Sequence, residues 1–317
     1  MDELLIMFKN VLIFILLAVP GYILVKTKIL TAKDSNILSK IVIYLGLPFM
    51  IFSSMLDMNF DGEIIIQMLI AVLITIVGLI GTFILSKPLV RPERDKMQKG
   101  ITRFSLVFPN NGLIGLPLVL ALFSTTNPLI VTLAAVCNII TNEIVIIMGS
   151  YAISCDKKHI SFKGILTNAV FIAFVVGAIL NLTNVGVYVP QIATYSQHLK
   201  NLVVPLSMMI IGMKFAEMDV KSLFAEKLLY YISFVRLILF PTLIVVILIV
   251  LKLILPISNE LIIAAFMAFS MPVAGLAPTF ADNFGIESKK AVIYVLGTTL
   301  FSVITIPVLY AVLNIIL

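Results

Sequence analysis

The sequence predicts an all-α protein that crosses a membrane many times. Of its 317 residues, 61% are hydrophobic and only 12% are charged, and the mean hydropathy is +1.16. A soluble domain is roughly half apolar and a quarter charged. Apolar runs of about 20 residues, long enough to cross a hydrocarbon core, recur along the whole chain. No stretch between them is long enough for a soluble catalytic domain.

Charged residues and clusters of proline, glycine and asparagine divide the apolar runs into ten candidate spans. The predicted helices are 4–25, 36–56, 64–86, 101–123, 128–151, 164–182, 196–215, 228–251, 260–282 and 289–315. The first run is too long for the apolar core of a signal peptide and has no clear cleavage site. We therefore interpret it as a retained span.

The distribution of basic residues agrees with this count. Most of the 22 lysine and arginine residues lie in the connections after spans 1, 3, 5, 7 and 9. Because positively charged connections stay in the cytoplasm, both termini are predicted to lie outside the cytoplasmic membrane. The net charge of +6 is thereby explained by topology and by contact with anionic membrane lipids, and it indicates no nucleic-acid partner.

The two halves of the sequence resemble each other weakly. GYIL at 21–24 has a counterpart in GAIL at 177–180, and FPNNGLIGLP at 108–117 has one in FSMPVAGLAP at 269–278. Each half holds five spans, an odd number, so the second half must enter the membrane from the opposite face. This pattern is typical of the inverted repeats of secondary transporters. The predicted segments are a first repeat at 1–151, a cytoplasmic connector at 152–163 and a second repeat at 164–317.

Helix-breaking residues interrupt spans 4 and 9 at corresponding places. Irregular backbone inside a membrane is tolerated only where protein covers it or where it lines a cavity. We therefore expect the two broken spans to cross near the middle of the membrane. Helix N-termini that converge there would favour an anion, because they carry partial positive charge and free N–H groups. The predicted crossover breakers are Pro117, Pro272, Gly275 and Pro278.

Amide side chains near this crossing are candidates for substrate contact. They donate and accept hydrogen bonds, although Asn110 and Asn111 could instead cap the second half-helix of span 4. Asn138 and Asn142 lie one turn apart on span 5, and polar groups inside a membrane usually face a bundle interior. The predicted substrate-binding residues are Asn110, Asn111, Gly112, Asn138 and Asn142.

Two charged residues lie deep within predicted spans, Glu143 in span 5 and Arg236 in span 8. Buried charges in membranes pair with one another or serve a function. A structural ion pair of Glu143 is the favoured interpretation, with Arg236 as one candidate partner, and a proton-coupling role for Glu143 is the alternative. The sequence contains no metal, nucleotide or catalytic motif, so we expect no metal site, no cofactor and no enzymatic activity.

Six motifs together resemble the auxin efflux carrier (PIN-like) family, in particular its bacterial members. In chain order they are PGYILVKTKIL, LGLPFMIFSSM, FPNNGLIGLPL, NLVVPLSMMIIGMKF, RLILFP and FSMPVAGLAPTFADNFG. The resemblance implies a fold similar to that of sodium/proton antiporters and bile-acid symporters. It also implies a homodimer, a scaffold domain of spans 1, 2, 6 and 7, and a transport domain of spans 3–5 and 8–10 that moves like an elevator.

We therefore expect a secondary transporter of small organic anions, chiefly carboxylates, with its substrate at the crossing of spans 4 and 9. A cation/proton antiporter or sodium symporter of the same fold is the alternative. Antiporters usually place paired acids at the crossing, whereas spans 4 and 9 hold no central acid, and Asp282 lies near an end. A membrane sensor or an intramembrane enzyme is a third alternative, and the sequence shows no catalytic dyad for the latter.

Overall fold

The computed structural model describes residues 13, 16–56, 61–90, 96–124, 126–154, 156, 169–183, 190–217 and 220–317. Within these ranges the regular structure is helical, apart from one isolated bridge between two extended residues. Some predicted features lie outside the described residues. They are the start of span 1, most of the connector 152–163, the start of span 6 at 164–168, and the loop residues Arg91, Arg94, Lys157, Lys158 and Lys163.

The described helices vary in length and apolar character. In chain order they are α1 (Leu16–Lys26), α2 (Ala32–Leu56), α3 (Gly62–Leu89), α4 (Lys96–Val107), α5 (Asn111–Phe123), α6 (Pro128–Ser154), α7 (Ala169–Leu182), α8 (Gln191–Ala216), α9 (Val220–Ala225), α10 (Lys227–Leu251), α11 (Asn259–Ser270), α12 (Ala277–Asn283) and α13 (Lys289–Ile316). Six of them, α2, α3, α6, α8, α10 and α13, are long and apolar enough to cross a membrane. The predicted helical class is thus confirmed for this part of the chain, while ten spans in two inverted repeats stay a prediction.

Three helices accommodate an internal proline by widening the turn before it. Proline lacks an N–H group, and its ring clashes with the carbonyl four residues earlier. A π turn shifts the hydrogen bonds by one residue and relieves this clash, so the helix continues. The π segments and their prolines are 42–46 before Pro48 in α2, 111–115 before Pro117 in α5 and 235–239 before Pro241 in α10.

The chain folds into two compact units, and each draws segments from both halves of the sequence. Unit 1 comprises Met1–Ile66, Gly112–Ala135 and Lys163–Met218. Unit 2 comprises Gln67–Asn111, Val136–Phe162 and Asp219–Leu317. Two elements that follow each other in the sequence can therefore belong to different units.

Unit 1 contains two helices whose backbones approach very closely. Gly21 of α1 lies against Met209 of α8, and Gly212 of α8 lies against Ala18 of α1. A Cβ atom on either glycine would overlap a carbonyl oxygen of the other helix. Glycine permits this approach, and tight van der Waals packing of this kind drives helix association in membranes.

Polar contacts tie other parts of unit 1 together. The side-chain amide of Asn181 on α7 donates to the carbonyl oxygen of Leu56, the last residue of α2, at 2.7 Å. At the start of α2, the N–H of Ala32 donates to the carboxylate of Glu217 at 2.9 Å. Each contact satisfies a backbone group that a helix end leaves without an intrahelical partner.

Unit 2 uses side chains to hold its connections against the long helix α3. The amide of Gln67 donates to the carbonyl of Pro256 at 2.6 Å, and its oxygen accepts from the N–H of Ser258 at 3.1 Å. The guanidinium of Arg103 on α4 lies 3.6 Å from the ring centre of Phe83 and donates to the carbonyl of that residue at 3.0 Å. These contacts fix α4 and the start of α11 relative to α3.

Replacing Gly212 with alanine should destabilise unit 1, because α1 and α8 must separate to admit the methyl group. We expect a loss of about 1–3 kcal/mol, typical of overpacking. The matched control is Gly81→Ala in α3, where a Cβ atom would meet no heavy atom within 4 Å. It should be neutral or stabilising by up to ~1 kcal/mol, since alanine is the better helix former. Thermal unfolding in detergent measures both, and equal midpoints would contradict the close approach.

Candidate functional site

Two interrupted helical segments meet within unit 2. Residues 108–110, the first break, separate α4 from α5, and residues 271–276, the second break, separate α11 from α12. Pro109 and Val273, one from each break, form an antiparallel bridge. The two irregular stretches therefore pair with each other.

This pairing satisfies backbone groups that the helices cannot. The N–H of Asn110 donates to the carbonyl oxygen of Pro272 at 2.8 Å, and the N–H of Ala274 donates to that of Phe108 at 2.9 Å. An unpaired backbone group away from water costs as much as a lost hydrogen bond. Non-helical backbone at membrane depth is therefore stable only where protein supplies such partners.

Arg236 of α10 binds the ends of both helices that lead into the breaks. Its guanidinium is fully buried. Nη1 donates to the carbonyl of Val107 at 2.8 Å, Nη2 to that of Phe269 at 2.8 Å, and Nε to that of Met271 at 3.0 Å. Val107 ends α4 and Phe269 lies in the last turn of α11, so these carbonyls have no partner within their helices. A rigid guanidinium fork with several donors suits this task better than the point charge of a lysine.

These contacts differ from the ion pair that the sequence suggested. Glu143 and Arg236 are both buried, as expected for deep charges. However, the partners of Arg236 are three main-chain carbonyl oxygens rather than the carboxylate of Glu143. Glu143 has interactions of its own. Sequence reasoning missed the carbonyls because every residue carries one, so nothing in the residue pattern marks them.

Thr298 of α13 supports the second break. Its hydroxyl oxygen accepts from the N–H of Val273 at 3.0 Å and donates to the carbonyl of Tyr294, one turn earlier, at 2.6 Å. The hydroxyl thus connects the bridge to the last long helix. This residue was not predicted from the sequence, because a threonine inside a membrane helix usually bonds only within its own helix.

The predicted asparagines lie next to these breaks. The amide of Asn111, which follows the first break, donates to the hydroxyl oxygen of Thr141 on α6 at 3.1 Å. One turn away, the amide of Asn142 donates to the side-chain oxygen of Asn138 at 3.2 Å. Asn138, Thr141 and Asn142 share one face of α6, as their spacing requires. Thr141 was not among the predicted residues, although its position three residues after Asn138 places it on the same helix face.

Two buried amide atoms in this group have no hydrogen-bond partner among the residues that the structure describes: Oδ1 of Asn111 and Nδ2 of Asn138. Asn111 is 3% exposed and Asn138 is 1% exposed. Such an atom costs about 1–3 kcal/mol when it stays unpaired. One of the two can accept a hydrogen bond and the other can donate one, which is suited to a small polar ligand.

The other candidate residues have varied positions. Pro272 and Gly275 lie in the second break, whereas Pro278 lies in the first turn of α12, where a missing N–H costs little. Gly112 and Pro117 belong to unit 1, and Pro117 lies inside α5 rather than in a break. Among the described residues, no group of three His, Cys, Asp or Glu side chains could hold a metal ion.

Replacing Thr298 with valine should destabilise the crossing. Valine keeps the shape of threonine but leaves the buried N–H of Val273 without an acceptor, which costs about 1–3 kcal/mol. The control is Thr299→Val, since that hydroxyl donates only to the carbonyl of Val295 in its own helix. Thermal unfolding should show a lower midpoint for Thr298→Val than for Thr299→Val, and the reverse order would contradict the support of the break by Thr298.

Comparison with known proteins places the chain in a family. The sequence model of the membrane transport protein family matches residues 6–161 and 158–310, which together cover most of the chain. A search of curated proteins found no match. The resemblance carried by the six motifs is thereby confirmed, because this family includes the auxin efflux carriers and PIN-like proteins. The chain therefore belongs to the membrane transport protein family.

Proposed function

We propose that the protein is a secondary transporter of small organic anions, chiefly carboxylates, and that it binds them beside the two paired breaks. Membership of a membrane transport family supports the general activity. The observation that carries the substrate site is the pair of unsatisfied amide atoms, Oδ1 of Asn111 and Nδ2 of Asn138. Both are buried, and both belong to a group of amides that otherwise bond to each other and to Thr141.

The chemistry of these two atoms fits a carboxylate that carries a second polar group. The free N–H of Asn138 can donate to a carboxylate oxygen, and such a bond to a charged group is stronger than one between neutral groups. The free oxygen of Asn111 can accept from a hydroxyl group or from a protonated second acid. Hydroxy acids and dicarboxylic acids provide both kinds of group.

We further propose that the substrate site moves as part of a transport domain of spans 3–5 and 8–10, while spans 1, 2, 6 and 7 serve as a scaffold. The paired breaks, Arg236, Asn111 and Asn138 all belong to unit 2. Hydrogen bonds within that unit hold them together, which supports movement as one body. An inverted repeat and a homodimer built on the scaffold complete the proposal, as the family resemblance implies. The positive-inside rule places both termini outside.

Binding of organic acids to purified protein tests the site. A panel of mono- and dicarboxylates should include at least one that binds to the wild type. Asn111→Ala and Asn138→Ala should each lower the affinity for that acid by about tenfold or more, because each removes a hydrogen bond to a charged or polar ligand group. Asn283→Ala, at an exposed position of α12, is the matched control. If both variants fold and bind the acid with unchanged affinity, the substrate does not bind at Asn111 and Asn138.

Labelling of cysteines in intact cells tests the orientation. In a chain with Cys137 and Cys155 replaced by alanine, Lys87→Cys at the exposed end of α3 should resist a membrane-impermeant thiol reagent. Ile254→Cys, in the connection between α10 and α11, is 78% exposed in the wild type and should react readily. The positive-inside rule predicts this order, because the connection after Lys87 is basic. Labelling of Lys87→Cys without labelling of Ile254→Cys would indicate the opposite orientation.

A further inference from the structure

We infer that Arg236 sets the charge selectivity of the crossing, in addition to holding its backbone in place. By cancelling the negative ends of the two helices that lead into the breaks, this residue leaves a site that favours an anion over an uncharged molecule of the same shape. The inference rests on the proposed function, since it concerns the ligand class of the same site.

The carbonyl ends of α4 and α11 would otherwise oppose the binding of an anion at the crossing. Each helix C-terminus carries a partial negative charge of about half a unit on its free carbonyl groups. Both C-termini lie at the bridge between Pro109 and Val273, since α4 ends directly before the first break and α11 directly before the second. Left alone, two such ends would attract cations and repel carboxylates.

Arg236 changes this balance because a single cation contacts both ends. Its three hydrogen bonds go to the carbonyls of Val107, Phe269 and Met271, at 2.8–3.0 Å. One full positive charge therefore faces two partial negative charges, and all three partners are neutral peptide groups. The guanidinium is 0% exposed, so solvent screens it little. A charge in such surroundings acts across several ångströms more strongly than it would in water.

A purely mechanical role for Arg236 makes a different prediction. If the residue only held the breaks together, its loss would lower the affinity for every ligand of the site to the same extent. If its charge matters, loss of Arg236 should lower the affinity for a carboxylate much more than the affinity for the matching carboxamide. The ratio of the two affinities is therefore the decisive quantity, because it is insensitive to a general loosening of the site.

Ser270 offers a way to cancel the charge without removing the guanidinium. It is fully buried and lies between Phe269 and Met271, whose carbonyls bind Arg236. Its own hydroxyl donates within α11 to the carbonyl of Met267 at 3.3 Å. Ser270→Asp would place a carboxylate near the guanidinium. Ser270→Asn adds nearly the same volume with no charge and is the matched control.

The experiment measures the affinity of purified wild type and variants for two pairs of probes, lactate with lactamide and malonate with malonamide. The wild type should prefer the acid of at least one pair. Ser270→Asp and Arg236→Gln should lower that acid-to-amide ratio by about tenfold, the effect of one charge about 10 Å away at an effective dielectric constant near 20. Ser270→Asn and Arg236→Lys should keep the ratio, although Arg236→Lys should unfold at a lower temperature because a lysine cannot reach three diverging carbonyls.

Each outcome separates the inference from the proposed function on which it rests. If the wild type binds an acid and Ser270→Asp keeps the wild-type ratio, the inference fails and the transporter proposal stands. The inference also fails if Arg236→Lys loses selectivity as fully as Arg236→Gln does. If Arg236→Gln does not fold, the pair Ser270→Asp and Ser270→Asn decides alone. If the wild type binds none of the four probes and no other carboxylate, the proposed function itself is wrong.

Discussion

The structure of the crossing depends on one constraint, the need of every backbone amide and carbonyl for a partner away from water. Two helices stop inside the protein and expose groups that a continuous helix would have satisfied. The bridge between Pro109 and Val273 pairs part of them. Arg236 binds three carbonyls and Thr298 accepts one N–H, so side chains supply the remaining bonds.

Because its backbone groups are paired in this way, the crossing can serve as a rigid support for a ligand. Its backbone is held by side chains from two other helices, Arg236 of α10 and Thr298 of α13, and the side chain of Asn111 is tied to α6 through Thr141. The atoms left over, Oδ1 of Asn111 and Nδ2 of Asn138, are therefore fixed in place before any ligand arrives. Fixed donors and acceptors lose little entropy when they bind, which favours both affinity and selectivity.

Much of the fold was predictable from the sequence, and the errors concern particular contacts. The apolar runs predicted helices, and the proline- and glycine-rich stretches near Pro109 and Pro272 indicated where two of them stop. Asn111 was predicted as a substrate contact from its place beside the break, and Asn138 and Asn142 from their polarity and their spacing of one turn. Arg236, a candidate partner of Glu143, instead binds three peptide carbonyls. Pro117 lies inside a helix, because a π turn before it makes room for its ring.

The sequence by itself determined the membrane class, the helical class and the family, because hydropathy, charge and motif order are properties of neighbouring residues and can be summed along the chain. Only the tertiary structure decided which groups meet at the crossing. The partners of Arg236 are peptide carbonyls of Val107, Phe269 and Met271, far away in the sequence. Every residue carries such a carbonyl, so its role depends on where a helix ends in space and on which side chain the fold brings to that end.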